Sequence, residues 1–223
     1  GVQGFPRMVR DLSRELGKQV KLEIVGKSTQ VDRDILTKLE APLNHLVRNA
    51  LDHGIELPEE RLASGKPAEG SVRLEARHRA GMLSITVSDD GCGVDLDRLR
   101  QKVLEKKLAG SDMLGQMSEA ELVDFLLLPG FSTTQEVTEI SGRGVGLDVV
   151  QSMVQEVGGV LRAASQPGKG MNFHMQLPLT LSVTRTLLVE ISGVSYAFPL
   201  ARIDRTLKVL RSEVEVVEDR QYF

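Results

Sequence analysis

Three polar residues in the segment HLVRNALDHG, residues 45–54, are spaced to lie on one face of a helix. His45, Asn49 and Asp52 occupy positions i, i+4 and i+7, and side chains at this spacing point in the same direction from an α-helix. Apolar residues supply the opposite face: Leu43, Leu46, Val47, Ala50 and Leu51. A polar stripe on such a helix is expected either to face solvent or to meet a polar ligand.

The residue types of this stripe fit a nucleotide and a divalent cation. Asn49 offers a neutral carbonyl oxygen, and Mg²⁺ takes only one or two protein oxygens when phosphates and water complete its shell. His45 could hydrogen-bond a terminal phosphate or take up a proton, and Arg48 could neutralise phosphate charge. Asp52 and His53 complete the set expected near the nucleotide. A solvated helix face explains the same residues, so the segment alone leaves both interpretations open.

A second candidate segment, residues 89–93, follows an apolar strand pattern. A carboxylate at the end of a strand can accept a hydrogen bond from an exocyclic amine, so Asp89 is a candidate for recognising adenine. Gly91 and Gly93 have no side chain and allow the backbone to lie flat against a ring. Asp-Gly pairs are also among the commonest turn dipeptides, and an ordinary turn is the alternative.

Glycines alternate with other residues immediately before a predicted helix, in the run Ser141, Gly142, Arg143, Gly144, Val145, Gly146 and Leu147. Alternate glycines expose backbone N–H groups, and a helix N-terminus adds partial positive charge, so this run predicts a phosphate-binding loop. The run does not match the G-x-G-x-x-G spacing, and the chain contains no G-x-x-x-x-G-K-[ST] loop.

Two further segments could approach a nucleotide. Hydroxyl groups of Ser132, Thr133 and Thr134 could close over it, or the preceding Phe131 ring could merely anchor a loop. The glycine turn at 168–170 is interpreted first as the connection of a strand hairpin. A backbone approach to phosphate is the second interpretation.

Apolar periodicity predicts the elements that must position these segments. Spacing near 3.6 predicts helices at 5–16, from about 32, and at 43–53, 96–103, 118–126 and 147–157. Pro42 is expected to open a fresh helix, because a proline deeper inside a helix removes a hydrogen bond and clashes. Alternation predicts strands at 20–24, 72–76, 83–87, 160–164 and 171–177. These elements predict a mixed, mainly antiparallel sheet that is covered on one face by helices.

The sequence also suggests a lid and a domain boundary. Residues 106–141 are weakly periodic and longer than an ordinary connection, which predicts a mobile lid. Beyond residue 178 the pattern changes to short strands, at 187–191 and 194–198. We therefore predict one domain at 1–181 and the first part of a small β domain at 182–223.

Composition limits the classes of function. The 223 residues are 41% hydrophobic and 26% charged, which is globular, and the net charge of −3 argues against a nucleic-acid or anionic-membrane surface. The single Cys92 excludes a disulfide framework and a cysteine zinc cluster. Neither a charged-then-apolar leader nor a long apolar run is found, so a reducing cytoplasm without direct membrane insertion is expected.

In their order, the four candidate segments resemble the N, G1, F and G2 boxes of the histidine-kinase branch of the GHKL ATPase superfamily. Longer stretches are similar to the CheA-type chemotaxis kinases: PLNHLVRNALDHGIELPEERLASGKP, VSDDGCGVD, LLLPGFSTTQEVTEISGRGVGLDVV and LPLTLSVTRTLLVEISGVSYAFPL. The resemblance extends from about Arg7 to the end of the chain.

This resemblance implies a fold and a set of residue roles. The fold is a two-layer α/β (α+β) sandwich of the GHKL or Bergerat type, with ATP between helices and sheet and an SH3-like, CheW-like regulatory domain starting after 181. Asn49 would hold Mg²⁺, His45 and Arg48 would face the phosphates, and Asp89 would bind the adenine amine. The implied glycine and lid roles are base-pocket shaping by Gly91 and Gly93, phosphate binding by Gly142, Gly144 and Gly146, and lid closure by 132–134.

The resemblance also implies a reaction and partners. The γ-phosphoryl group of ATP would pass to a histidine on a phosphoacceptor domain, supplied in trans to this chain because neither that domain nor dimerisation helices precede Phe5. A response regulator, a CheW-like adaptor and membrane chemoreceptor arrays are the implied partners in a bacterial cytoplasm. A homodimer is implied for the full-length kinase and a monomer for this chain.

Two departures and two rival functions accompany the resemblance. Met171 stands where such kinases usually place Thr, and Cys92 fills a slot more often held by other residues. A water-activating ATPase of the gyrase, Hsp90 or MutL type places Glu one helical turn before the Asn, where this chain has His45. A scaffold that has lost catalysis is the second rival, and the intact glycines and ligand residues count against it.

Overall fold

The computed structural model describes residues 4–26, 29, 31–131, 146–178, 186–191, 193–199, 215–217 and 220–222. The chain divides into two units, Gly1–Val183 and Thr184–Phe223. The predicted domain boundary near Leu181 falls outside the described residues and stays a prediction.

A five-stranded sheet forms one layer of the first unit. Its strands are β1 Val20–Val25, β2 Gly70–Arg79, β3 Met82–Asp89, β4 Val160–Gln166 and β5 Gly170–Pro178. They lie in the order β1-β2-β3-β5-β4, with β1 parallel to β2 and the other neighbours antiparallel. The prediction of a mixed, mainly antiparallel sheet is confirmed.

Helices form the second layer. The described residues contain seven α-helices: α1 Phe5–Glu15, α2 Arg33–Asn49, α3 Pro58–Ala63, α4 Leu96–Glu105, α5 Ser111–Gln116, α6 Glu119–Asp124 and α7 Leu147–Glu156. Asp32 begins α2 by accepting the backbone N–H of Asp34, and Ser118 and Glu121 form a capping box at the start of α6. None of these helices is both long and apolar enough to span a membrane.

The core lies between the two layers. Alternate strand residues face the helices and are buried, among them Val72, Leu83, Ile85, Met175 and Leu177. On α2 the buried stripe follows helical spacing through Ile35, Leu39, Leu43 and Leu46. The other face of the sheet is polar, with an Arg73–Glu75 ion pair at 2.9 Å and a Thr86–His174 contact at 3.1 Å. Among the described residues, the helices therefore cover one face of the sheet, as predicted.

The prediction that Pro42 opens a fresh helix is wrong. Pro42 is buried in the interior of α2, which continues without a break from Arg33 to Asn49. The cost of the missing backbone hydrogen bond is offset because the apolar stripe on both sides of the proline packs into the core.

Much of the predicted lid is helical. Between residues 106 and 131 lie α5, α6 and a 3₁₀ turn at Phe125–Leu127, and they bury Leu114, Leu122, Val123 and Leu127. Weak periodicity arose because each helix is only six residues long and contributes one or two core contacts. The rest of the predicted lid, 132–141, lies outside the described residues.

The second unit contains only strands among its described residues. Strands β6 Thr186–Ile191 and β7 Val194–Pro199 pair antiparallel, as do β8 Glu215–Val217 and β9 Arg220–Tyr222. The two strands predicted after residue 178 are confirmed by β6 and β7.

Candidate nucleotide site

A cavity of about 250 Å³ lies where α2 ends, β3 ends and α7 begins. Its lining brings together seven predicted site residues from three segments far apart in sequence: His45, Asn49, His53, Asp89, Gly93, Gly146 and Leu147. The other lining residues are Ala50, Gly54, Val94, Leu126, Met171 and Phe173. Three of the segments that the sequence predicted to act together therefore meet at one cavity.

A change in helix geometry decides which residues of the polar stripe reach the cavity. Ala50–Gly54 continues α2 as a π-turn, closed by the Ile55 N–H donating to the Ala50 carbonyl at 2.8 Å. This turn holds more residues than an α-turn, so the residue below Asn49 is His53 rather than Asp52. His53 lines the cavity and Asp52 does not, contrary to the i+7 prediction.

Lys18, which the sequence analysis missed, stabilises the π-turn. Its ammonium group donates to the carbonyl oxygens of Leu51 at 2.6 Å and Asp52 at 2.9 Å, groups left without helical partners at the end of a helix. Burial lowers the pKa of Lys18 despite the nearby Asp52 charge. Lys18 is 33 residues away from Leu51, so no local pattern could have revealed the contact.

His45 is a neutral imidazole at neutral pH. Its pKa is lowered below the ordinary value, chiefly by burial and then by the positive charge of Arg48, with Asp148 and Asp52 acting in the opposite direction. A neutral imidazole can accept a proton or a hydrogen bond in the cavity. Arg48 lies two residues before the π-turn and is half-buried. It acts on His45 through its charge without lining the cavity.

The Asp89 carboxyl group has a raised pKa. Burial raises the pKa of Asp89 to about 6, two backbone N–H groups lower it, and the charges of Asp90 and Glu56 raise it further. Asp89 Oδ1 accepts the N–H of Gly91 at 2.9 Å and that of Met171 at 3.4 Å. A carboxylate in this setting is poorly solvated, so a ligand amine that donates to it is favoured.

Backbone packs closely around Asp89 because three neighbours are glycines. A Cβ on Gly91 would lie 2.0 Å from the Gly54 carbonyl oxygen, and one on Gly170 would lie 2.0 Å from the Asp89 carbonyl oxygen. A Cβ on Gly54 would lie 3.2 Å from the Asp89 carboxylate. Gly93, at φ +70°, lies against the Gln166 carbonyl. These glycines are therefore required for protein packing, apart from any contact with a ring.

The start of α7 contributes Gly146 and Leu147 to the lining, as predicted for a helix N-terminus. Gly146 is the N-cap of α7, and Asp148 in its first turn accepts the Gly130 N–H at 3.1 Å. The remaining predicted phosphate-loop and lid residues lie outside the described part of the chain: Gly142, Arg143, Gly144, Val145, Ser132, Thr133 and Thr134.

Phe131 anchors its segment. The ring is 1% exposed, its centroid is 6.2 Å from that of Phe125, and Lys102 Nζ lies 5.2 Å from the ring centroid. The phenyl ring therefore packs into the fold and anchors this segment. Closure by the hydroxyl groups of 132–134 falls outside the described residues and stays a prediction.

The apolar part of the lining was missed as a site feature. Val94, Leu126, Met171 and Phe173 form a surface suited to the flat faces of a purine. The alternation 171, 173, 175 and 177 placed Met171 and Phe173 on the helix-facing side of β5, which was the available signal. That alternation did not indicate how close this end of β5 comes to Asp89. The hairpin interpretation of residues 168–170 is confirmed by the β4–β5 pairing.

The oxygen and nitrogen groups at the cavity suit a cation that takes most of its ligands from phosphate. Within the described residues there is no cluster of three His, Cys, Asp or Glu side chains placed to hold a metal. Asn49 contributes one hard amide oxygen at the cavity, which matches the small protein share in a Mg²⁺–phosphate site.

Comparisons with known proteins agree with this geometry. Residues 38–181 match the family described as histidine kinase-, DNA gyrase B- and HSP90-like ATPase. The chain is 39% identical over 97% of its length to Chemotaxis protein CheA of Bacillus subtilis, and 42% identical over 92% to those of Rhizobium meliloti and Salmonella typhimurium. It spans 32%, 27% and 30% of those three proteins.

Among solved structures, the chain is similar to the histidine kinase domain of a blue-light activated histidine kinase from Erythrobacter litoralis. The two are 18% identical, with 78% of this chain and 62% of the other covered and a TM-score of 0.45. This degree of likeness carries no residue-by-residue correspondence.

Proposed function

The chain belongs to the family of histidine kinase-, DNA gyrase B- and HSP90-like ATPases and is a CheA-type member of it, and we propose that it binds Mg-ATP in the cavity beside Asp89 and transfers the γ-phosphoryl group to a histidine of another domain. The observation that carries this proposal is the buried Asp89 carboxylate sharing one cavity with His45 and Asn49.

The base of the nucleotide is assigned to the Asp89 end of the cavity. The carboxylate already accepts two backbone N–H groups at Oδ1, and an exocyclic amine is the kind of donor that would compensate its burial. Apolar side chains of Met171, Phe173 and Val94 suit the ring faces. Adenine meets both requirements, because it has an apolar face and an amine donor.

The phosphates are assigned to the α2 and α7 ends of the cavity. Gly146 and Leu147 begin α7, whose N-terminus favours anionic groups, and the glycine run before it is proposed to add N–H donors. Asn49 is proposed to give one ligand to Mg²⁺, which when bound neutralises phosphate charge. Arg48 is proposed to act through its charge and Ser132–Thr134 as part of the lid.

Transfer forms a bond between an acceptor imidazole nitrogen and the γ-phosphorus and breaks the bond to the oxygen that leaves with ADP. Neutral His45 is proposed to hydrogen-bond the terminal phosphate or to take the proton that the acceptor releases. Positioning and charge neutralisation supply most of the catalysis, as in other phosphoryl transfers.

The proposed partners are inferred from the relatives of this chain. Those relatives are named chemotaxis proteins and are about three times as long as the matched segment, so the acceptor domain, response regulator, CheW-like adaptor and homodimer are proposed for the whole protein. We propose a cytoplasmic site of action with recruitment to receptor arrays. The β6–β7 hairpin belongs to the proposed adaptor-docking domain.

The test is phosphoryl transfer in trans. The chain, labelled ATP and a separately purified histidine-acceptor domain are mixed, and label on the acceptor is compared with free phosphate. We expect label on the acceptor and none on an acceptor whose histidine is replaced by Gln. Phosphate release without acceptor labelling would instead identify a hydrolase, and nucleotide binding without either would identify a scaffold.

Substitutions on α2 test the phosphate side of the cavity. We expect His45→Gln and Asn49→Asp to lower the transfer rate about tenfold or more while the Kd for ATP changes less than about threefold. Matched controls are His78→Gln and Asn172→Asp, which lie on β2 and β5 away from the cavity lining. Parent-like transfer rates in both α2 variants would show that these side chains do not act on the phosphates.

A further inference from the structure

A network of four charged side chains, built around the buried Arg61, contacts the loop that follows Asp89. Arg61 has 0% exposure, the lowest of any charged residue described, and it lies among Glu56, Lys66 and Asp90. Two positive and two negative side chains balance one another, which is the condition under which charges tolerate burial. The sequence analysis gave no role to these residues.

Arg61 and Lys66 both donate to the backbone of the loop after β3. Arg61 binds the Asp90 carboxylate at 2.9 Å and the Asp90 carbonyl at 3.2 Å. Lys66 Nζ binds the same carbonyl at 3.0 Å and that of Gly91 at 2.8 Å. Glu56 holds both cations, at 2.9 Å and 2.6 Å.

The peptide held in this way is the one that holds Asp89. The Asp90 carbonyl and the Gly91 N–H belong to a single planar peptide unit, so its orientation is shared. On one side the unit accepts from Arg61 and Lys66, and on the other its N–H donates to Asp89 Oδ1 at 2.9 Å. Donors on the carbonyl also polarise the N–H and strengthen its bond to the carboxylate.

Two further contacts hold the groups on either side of this peptide. Ser71 N–H donates to the Asp90 carboxylate at 2.8 Å, and Cys92 N–H donates to the Gly54 carbonyl at 2.9 Å. The network therefore acts on the orientation of one carboxylate rather than on the cavity as a whole.

We propose that Arg61 and Lys66 are positioning residues for purine selectivity, which orient the Asp90–Gly91 peptide and through it the Asp89 carboxylate toward a 6-amino purine. This inference rests on the proposed function of the cavity. The inference adds that selection against a 6-oxo purine depends on the Arg61 and Lys66 side chains, which do not line the cavity.

The test compares ATP with inosine triphosphate, which has a carbonyl in place of the exocyclic amine and therefore offers Asp89 no 6-amino donor. Dissociation constants for both are measured by calorimetry with the whole chain. We expect Lys66→Met to raise the Kd for ATP about fivefold to tenfold and that for inosine triphosphate less than about twofold, the size of one hydrogen bond. Lys66→Arg, which keeps donors, should retain the preference of the parent.

A second variant and a control separate positioning from general destabilisation. Arg61→Lys keeps the charge and loses the fork of donors, and it should reduce the preference in the same direction. If Arg61→Lys fails to fold, Lys66→Met decides the matter, because Lys66 is 18% exposed and less deeply packed. Arg73→Met, which breaks an ion pair on the open face of the sheet, should leave both constants unchanged.

The outcomes distinguish this inference from the function on which it rests. Equal losses for both nucleotides, or an unchanged preference in the folded Lys66→Met variant, would overturn the positioning role and leave ATP binding intact. A parent chain that binds neither nucleotide, or binds both equally, would overturn the assignment of Asp89 to the base and this inference with it.

Discussion

At the scale of residues, the site depends on ionisable side chains whose pKa values are shifted by burial. Asp89 carries a pKa of about 6 because it is buried, and the pKa of His45 is lowered for the same reason. Burial removes water from the Asp89 carboxylate. A ligand donor that reaches this carboxylate replaces part of the lost solvation, and binding is favoured for that reason. Stability and affinity should therefore respond in opposite directions when the Asp89 charge is removed.

We predict that Asp89→Asn weakens ATP binding and raises stability at pH 7.5. Between about pH 4 and 6 the folded parent holds a proton that the unfolded chain has lost, so ionised Asp89 lowers stability above that window. The expected gain is on the order of 1–3 kcal/mol at pH 7.5 and shrinks as the pH falls toward 4. Calorimetry with ATP and denaturant unfolding at several pH values measure both effects.

Asp124→Asn is the matched control, since it removes the same charge from an exposed position at the end of α6. It should change neither quantity. Asp89→Asn with the ATP affinity of the parent would refute base recognition, and a loss of stability at pH 7.5 would refute the unfavourable charge.

At the scale of elements, two irregular features set the geometry of the cavity. The π-turn after α2 brings His53 into the lining, and the β4–β5 hairpin brings Gly170 and Met171 against Asp89. Each is fixed by contacts with a distant segment: Lys18 caps the first, and the Gly168 N–H donates to the Cys92 carbonyl at 2.7 Å in the second.

Two glycines of the hairpin turn provide a matched pair of substitutions. Both have positive φ, +75° at Gly168 and +107° at Gly170, but an added Cβ meets nothing within 4 Å at Gly168 and lies 2.0 Å from the Asp89 carbonyl oxygen at Gly170. We expect Gly168→Ala to cost about 1 kcal/mol of unfolding free energy and Gly170→Ala about 3 kcal/mol or more. Urea unfolding measures the free energy lost in each variant. Equal losses would show that the β4–β5 hairpin can move away from β3 at little cost in free energy.

Removing the Lys18 ammonium should weaken the π-turn. We expect Lys18→Met to lower the unfolding free energy by about 1–2 kcal/mol, because two backbone carbonyls lose a charged donor. Lys21→Met removes an exposed lysine that pairs with Glu23 on β1 and should cost less than about 0.5 kcal/mol. Urea unfolding midpoints measure both, and an unchanged midpoint for Lys18→Met would mean that water satisfies those carbonyls.

At the scale of the whole molecule, the described core residues of the cavity-bearing fold all precede residue 178. The buried apolar cluster extends from Phe5 to Leu177, within the first unit. A chain ending at 183 contains every residue of the cavity lining. This unit should therefore fold by itself.

We predict that residues 1–183 bind ATP with a Kd within about twofold of the full chain and unfold cooperatively at a similar midpoint. Calorimetry and thermal unfolding of the shortened and full chains make the comparison. Loss of binding or of cooperative unfolding in the shortened chain would contradict the division into two units.

The sequence by itself determined the fold class and most elements. Period-two and period-3.6 patterns follow from local backbone hydrogen bonding, so β1 to β7, α1, α4, α7 and the α6 capping box were predictable. Helical periodicity identified His45 and Asn49 as site residues, and residue type at the end of a predicted strand identified Asp89 and Gly93; all four line the cavity.

Only the tertiary structure decided the contacts that join distant segments. Asp89 meets Met171 across 82 positions, Lys18 meets Leu51 across 33, and Arg61 meets Asp90 across 29. The tertiary structure also kept Pro42 inside α2, because core packing outweighed the local preference. It left Asp52 out of the cavity lining while His53 lines it, because the π-turn changed the helical period. These outcomes depend on the packing and hydrogen bonds between distant segments. The spacing of residues within one segment does not predict such contacts.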